Sequence, residues 1–431
     1  MNIKQLAGED VTEMDFNCEY TSNIPSLFKQ LNISIAFTSY QAGRLMLVRS
    51  DGNELDVNYK SFLRPMGLTA YEGGITLGTY TQVINFQRED DMLVQIKQPL
   101  TPIEDDITAP RIKQHGKKQL TKSDISEEEI KIEQVLAGIN LSETQKAQLD
   151  INMLEFKQEQ ANKMIPVDYR TDACFITRAT HYTGMINIHD IQWGEEGLWA
   201  VNSSFSCLCT LDPDYSFVPR WQPYFISELK PEDRCHLNGM ALKNGKPAYV
   251  TTFSKYDSPA MWRKGNKFDG TLMDVETNTI LLDGLAMPHS PRWYNNKVYF
   301  CNSGHGLVCC YDPITKQTET ITQLQGFTRG IDFFGPIMMV GLSKVRASDV
   351  TKPAPLKELY DETFSGVWLI NLDETDNEKQ IIGFIKFTGN VDQVYDIAVI
   401  TDSHFPELID PNHPRMRNHF SHSELQPIQN E

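Results

Sequence analysis

The chain has 431 residues, 40% of them hydrophobic, and a formal net charge of -17. No apolar run approaches the roughly 18 residues of a membrane span, so the composition predicts a soluble globular protein with no membrane partner. An acidic field of this size works against binding phosphate backbones, which excludes nucleic acid as an expected partner.

The N-terminal residues Met1 to Tyr20 carry Glu9, Asp10, Glu13, Asp15 and Glu19 and have no apolar stretch of the kind a secretory signal needs, so a cytoplasmic location is expected. The first strands fall at Ile33 to Thr38 and Arg44 to Arg49, with turns at Gln41-Ala42-Gly43 and Asp51-Gly52-Asn53. They precede any repeating unit, and in a ring that must remove its sheet edges they are expected to complete a blade begun by the C-terminal strands. A first blade follows from Gly74 to Phe86.

From 98 to 166 the aromatic residues nearly vanish and charge density rises. Ser126-Glu127-Glu128-Glu129 has the form of a capping box, with Ile132, Val135, Leu136 and Ile139 following at helical spacing. A second helix starts at Ser142 and carries Leu149, Met153 and Phe156 on one face. The segment reads as an inserted helical hairpin, either a solvated decoration or an arm for a protein partner.

Short β-branched or aromatic strands resume after Tyr169 and include Ile188 to Trp193, Gly197 to Asn202, Ala248 to Thr252, Lys297 to Asn302, Ile337 to Gly341 and Gly366 to Leu372. Glu195-Glu196-Gly197, Lys243-Asn244-Gly245 and Asn295-Asn296 supply the tight turns between them. Residues 405 to 431, rich in Pro, His and Asn, read as a polar tail. Eight cysteines, among them Cys207, Cys209 and the adjacent Cys309 and Cys310, lack zinc-ribbon spacing and read as small buried hydrophobes.

Phrases of one type recur at the start of strands: Arg64-Pro65-Met66-Gly67-Leu68, His189-Asp190-Ile191, His236-Leu237-Asn238-Gly239-Met240, His289-Ser290-Pro291-Arg292-Trp293, Thr328-Arg329-Gly330-Ile331 and Tyr395-Asp396-Ile397. Beyond the insertion they return at intervals of roughly 40 to 70 residues with several strands each, the mark of a β-propeller. The fold expected is all-β, a six-bladed β-propeller over residues 21 to 404. Aligned on Met66, Asp190, Asn238, Ser290, Arg329 and Asp396, the phrases bring residues distant in sequence to one place, the mouth of the central channel.

The strand-opening phrases resemble those of six-bladed propellers of the gluconolactonase, regucalcin and strictosidine-synthase type. In such proteins the reference position faces the channel and often holds a divalent metal, which singles out Asp190, Asn238 and Asp396 as oxygen donors for Ca²⁺, Mg²⁺ or Mn²⁺. Longer runs, including Ala36-Phe37-Thr38-Ser39-Tyr40-Gln41-Ala42-Gly43-Arg44-Leu45, Pro231 to Gly239 and Met287 to Trp293, resemble a bacterial family of conserved hypothetical proteins, some of them linked to tetratricopeptide repeats. That second resemblance implies the propeller and leaves the activity open.

Other groups at the mouth suggest chemistry. His236 shares the face of Asn238, whereas strand alternation sends His189 and His289 the other way, between blades; if the phrases are loops, all three converge as acid–base groups. Arg64 and Arg329 form either a clamp for a carboxylate, phosphate or sulfate group or salt bridges to Asp190 and Asp396. Asn238, Ser290 and Tyr395 complete the expected substrate contacts. Cys235, beside His236, is a weaker candidate nucleophile. Two functions follow from different classes: an enzyme acting on a small polar or anionic metabolite by hydrolase, lyase or isomerase chemistry, or a non-catalytic scaffold or ligand sensor using its rim and helical arm.

Overall fold

The computed structural model describes residues 15–71, 73–93, 167–345, 354–374, 376, 380–411, 413, 416 and 419–421. The chain divides into two compact units, Met1–Glu89 with Asp172–Leu408, and Asp90–Thr171 with Ile409–Glu431. The second is described only in short pieces, one of which holds an ion pair between Arg170 and Asp168 at 2.7 Å. The helical hairpin expected at 98–166 lies outside the described residues.

The first unit is a six-bladed β-propeller. The first blade runs outward from Leu68–Tyr71 through Gly74–Gly78 and Gln82–Arg88 to Ala173–Tyr182, so the expected insertion falls between its third and fourth strands. The next three blades open on Ile188–Gly194, Leu237–Lys243 and Pro288–Tyr294 and each has four strands in sequence order. The fifth opens on Phe327–Phe334. The sixth is composite: Ile397–Thr401 is innermost, and Ile33–Ser39, Arg44–Ser50 and Leu55–Ser61 follow outward. Each innermost strand packs beside the next, and Ile397–Thr401 packs back on Leu68–Tyr71, which closes the ring.

The expected closure is therefore present, with Ile33 opposite Thr401 and Phe37 opposite Ile397. Two further strands add to outer edges, Cys18–Tyr20 on the fifth blade and Pro406–Ile409 on the first. The latter lies where the composition suggested only a polar tail; Phe405, Leu408 and Ile409 supply buried apolar anchors that the segment average hides. Arg49, almost fully buried, fixes this end by hydrogen bonds to Asp56 Oδ1 at 2.7 Å, Pro406 O at 3.1 Å and Glu407 Oε2 at 2.5 Å.

Strand alternation distributes the core. In Ile33–Ser39, Ile33, Ile35 and Phe37 pack toward the fifth blade while Ala36 packs toward the first. Each of six apolar clusters fills the gap between neighbouring blades, and Cys207, Cys209, Cys235, Cys301, Cys309 and Cys310 sit in them as small apolar side chains. The turns Asn244-Gly245 and Asn295-Asn296 place both central residues in the left-handed region, as type I′ hairpins require.

Candidate functional site

Register among the six strand openings decides what reaches the axis. A Cβ added to Gly67 would lie 3.2 Å from the backbone of Asp190, one on Gly239 would lie 3.0 Å from Ser290 N, and one on Gly330 would lie 3.0 Å from Asp396 Cα. Gly67, Asp190, Gly239, Ser290, Gly330 and Asp396 thus form one tier, in which glycines alternate with side chains that accept hydrogen bonds. Asp190 Oδ2 accepts from Met240 N at 2.9 Å, Ser290 Oγ from Gly330 N at 2.9 Å and Asp396 Oδ2 from Leu68 N at 3.0 Å, each reaching into the next blade. The glycines are needed because the neighbouring backbone passes where a side chain would begin.

This tier corrects the sequence alignment by one residue in three blades. Met66, Asn238 and Arg329 are level with His189, His289 and Tyr395, not with Asp190, Ser290 and Asp396. Two residues earlier on each strand comes an outer tier of Arg64, Asn187, His236, Met287, Phe327 and Gln393. All of these except Asn238 and His289 line one cavity of about 280 Å³. Arg64, Asn187, His236 and Met287 all have positive φ, between 50° and 57°. The left-handed backbone at four strand openings marks the cavity rim as a place where local strain is held by its surroundings.

The cavity is cationic inside an acidic protein. Arg64, Arg263, Lys267, Arg329 and Lys344 line it, and among the described residues no Asp or Glu does. Lys344 pairs with Asp392 at 2.7 Å. Arg329 is different: its guanidinium lies over the rings of Phe327 at 4.8 Å and Tyr395 at 5.2 Å, and its buried Nε and Nη1 have no hydrogen-bond partner among the described residues. Tyr395 Oη and Asn238 Nδ2 are likewise buried and unpaired. Burial raises the Tyr395 phenol well above its ordinary value.

His189 and His289 are held alike. His189 Nδ1 is 2.8 Å from Asn187 O and 2.7 Å from Ser203 Oγ, and His289 Nδ1 is 2.9 Å from Met287 O and 2.8 Å from Ser303 Oγ. The serine hydroxyls donate to carbonyl oxygens of the next blade, Leu237 and Thr328, so each accepts from its histidine and the proton resides on Nδ1. Burial holds both rings well below the usual histidine value, reinforced for His189 by neighbouring His236 and for His289 by Arg329. Both are neutral at physiological pH, with Nε2 as the acceptor. His189 is therefore bound to a backbone carbonyl and also lines the cavity, because its true level is that of Met66 and Arg329.

His236 stands beside His189, ring centroids 4.6 Å apart and nearly perpendicular. It stacks on Trp262 at 3.9 Å and takes Asp233 Oδ1 at 2.8 Å on Nδ1. His289 is one blade further round, separated from His236 by the ring of Phe253.

Below the cavity lies an ion cluster. Arg292 Nη1 is 2.7 Å from Asp190 Oδ2, and Nη2 is 3.3 Å from Asp396 Oδ1. The aspartates pair with Arg292, two residues beyond Ser290, instead of with Arg64 or Arg329. The expected cation donors do not fit a metal: a guanidinium lies between the two carboxylates, and Asn238 belongs to the tier above. Among the described residues no group of three or more His, Cys, Asp or Glu side chains is gathered at metal-binding distances. Burial raises the carboxyls of Asp190 and Asp396 against the pull of Arg292, and nearby Asp332 is raised by burial too. Arg292 is itself held firmly charged, because the two carboxylates outweigh the effect of its burial.

Cys235 does not line the cavity. It is fully buried in the apolar cluster between the second and third blades, and burial pushes its thiol up to about 12.

Residues 22–140 and 137–409 match a family model described as a domain of unknown function, DUF4915. The chain belongs to that family. No curated protein matches it. Among solved structures, a chain from a crystal structure of a nidogen/laminin complex is similar at a TM-score of 0.43 and 10% identity, over 86% of this chain and 99% of that one. The site of this DUF4915 protein thus stands on its own geometry. Sequence reasoning overlooked Phe327 and Trp262 as cavity walls and Asp332 in the cluster, and it quoted Arg292 without a role. A usable signal was present: Ser203 follows His189, and Ser303 follows His289, by the same interval of 14.

Proposed function

We propose that the protein binds a small organic anion at the mouth of the propeller channel and acts on it by acid–base chemistry of the hydrolase, lyase or isomerase type. The observation that carries this reading is Arg329, a cavity-lining guanidinium with no carboxylate partner among the described residues, in a chain of net charge -17. A buried donor without an acceptor costs about 1–3 kcal/mol, and a carboxylate or phosphate oxygen supplied by a ligand relieves that cost. A volume of about 280 Å³ suits a small metabolite.

Arg329, with Arg64 at the rim, holds the anionic group, and Tyr395 offers a further polar atom at the cavity wall. His189, neutral with Nε2 bare, accepts a proton from the ligand and later returns that same proton; His236, with Asp233 on its Nδ1, presents a second Nε2 acceptor beside it. No step passes through a metal. The likeness of the strand-opening phrases to gluconolactonase-type propellers makes sugar acids and their lactones the first compounds to try. No described helix is long and apolar enough to cross a membrane.

The test is calorimetric titration of wild type and Arg329→Met with mono- and dicarboxylates, sugar acids and their lactones, and inorganic phosphate. Saturable binding by at least one anion, weakened roughly 10- to 100-fold in the variant, is expected from the loss of a charged hydrogen bond. Binding that is equal in the variant, or no binding by any compound, refutes the reading.

A further inference from the structure

The loop Pro231–Cys235 contributes no residue to the cavity lining, yet it is held by several bonds to its surroundings. Arg234, 7% exposed, is bound by Glu232 at 2.8 Å, Asp257 at 2.6 Å and Ser227 Oγ at 3.1 Å. Asp233 N donates to Ser204 O at 2.9 Å, and Ala260 N donates to Glu232 O at 2.9 Å, which ties the loop to the turn carrying Trp262. Within this frame Asp233 and His236 both adopt positive φ, 48° and 52°. Two left-handed non-glycine residues within four positions are kept only where the surroundings over-determine them.

The geometry points to Asp233 as the positioning residue of the site, a single carboxylate that sets the tautomer of His236 and fixes Trp262 and Arg263 at the cavity wall. Both its oxygens are used. Oδ1 accepts from His236 Nδ1 at 2.8 Å; Oδ2 accepts from Trp262 Nε1 at 3.0 Å and lies 3.8 Å from Arg263. Arg263 in turn lies over the Trp262 ring at 4.2 Å. An acceptor on Nδ1 obliges that nitrogen to carry the proton, so Nε2 presents its lone pair. Trp262, stacked on the same imidazole, prevents the ring from turning. His189 reaches the same tautomer through a serine and a carbonyl, so the two adjacent histidines are distinguished by charge: His236 alone has a carboxylate behind it. This inference rests on the cavity being an acid–base site for an anion, but its test does not.

The experiment is ¹⁵N NMR of the histidine rings and of the Trp262 indole in wild type, Asp233→Ala and Asp233→Asn, with Glu232→Gln as control. Wild type and the control are expected to show His236 protonated on Nδ1 and a slowly exchanging indole N–H. In Asp233→Ala the ring passes to the Nε2–H form and indole protection is lost. Asp233→Asn, nearly isosteric, keeps one acceptor oxygen for two donors and loses one of the two signatures, which covers the case that the alanine variant fails to fold. Persistence of both signatures in the folded variants overturns the role of Asp233. Anion titration on the same samples reports separately: wild type binding no anion refutes the acid–base reading and leaves the tautomer result intact.

Discussion

Replacing Arg292 by Met tests the ion cluster beneath the cavity most directly. The change keeps an aliphatic stem of similar length and removes the guanidinium that lies 2.7 Å from Asp190 and 3.3 Å from Asp396, side chains that are 3% exposed. Two unit charges about 4 Å apart attract by about 4 kcal/mol at an effective dielectric constant near 20, and breaking a buried pair by removing one partner costs about 3–5 kcal/mol. The expected loss near pH 8 is therefore about 4 kcal/mol, measured by urea unfolding followed by both fluorescence and circular dichroism. The pH dependence has a definite sign. Asp190 and Asp396 are carboxyls raised on folding, so the native state binds more protons than the unfolded chain. Such groups contribute most below the unfolded value near 4, and stability falls as the pH rises through the raised folded value. Without Arg292 the carboxyls rise further, and the window widens upward. The variant should recover at least half of its deficit between pH 8 and pH 5. An equal deficit at both pH values, or a loss under 1 kcal/mol, refutes the cluster as a buried charge pair.

Three other expectations concern the same ring. His289 is buried neutral, with its folded value depressed, so the unfolded chain takes up the proton first as the pH drops below about 6.5 and stability is lost toward acid. His289→Gln should flatten that loss, by at most about 1.4 kcal/mol per pH unit below pH 6, and an unchanged slope of urea midpoints would sink the assignment. Gly239→Ala places a methyl 2.4 Å from Pro291 Cδ and 3.0 Å from Ser290 N and should cost about 2 kcal/mol by thermal unfolding; a variant as stable as wild type would mean the blades are not this close. Cys235→Ala should bind anions as wild type does, since the thiol is buried away from the cavity; abolished binding in a folded variant would contradict that placement.

The propeller was legible because its signals are local and repeated. Tight turns such as Asn244-Gly245 and Asn295-Asn296 recur between short strands, and the leading strands without a blade of their own could only be completed by the C-terminus. The site was legible in part. Arg64, His189, His236, Arg329 and Tyr395 do share one cavity. What misled was the choice of reference residue. In the Gly67, Gly239 and Gly330 blades the close approach of a neighbouring backbone takes the glycine to the level of Asp190, Ser290 and Asp396, which a comparison of phrases cannot see. Hence Arg292 was overlooked as the partner of two aspartates, because pairing across the axis depends on which strands face each other and not on spacing. Asp233 lies in the Pro231 to Gly239 run, but its bonds to His236 and Trp262 join residues 3 and 29 positions away across a turn.

The composite blade has a consequence for how the cavity comes into being. Tyr40 and Tyr395, whose rings meet at 5.5 Å, are far apart in sequence, and Ile33–Ser39 has no inner neighbour until Ile397–Thr401 has been made. During synthesis the earlier blades can stack on one another, but they form an open arc with bare edges at both ends. The pore wall stays open at the sixth blade until Ile397–Thr401 has been made. The cavity wall therefore closes in one late event, and a chain cut before Ile397 is left as an arc with sticky rims and an unclosed mouth.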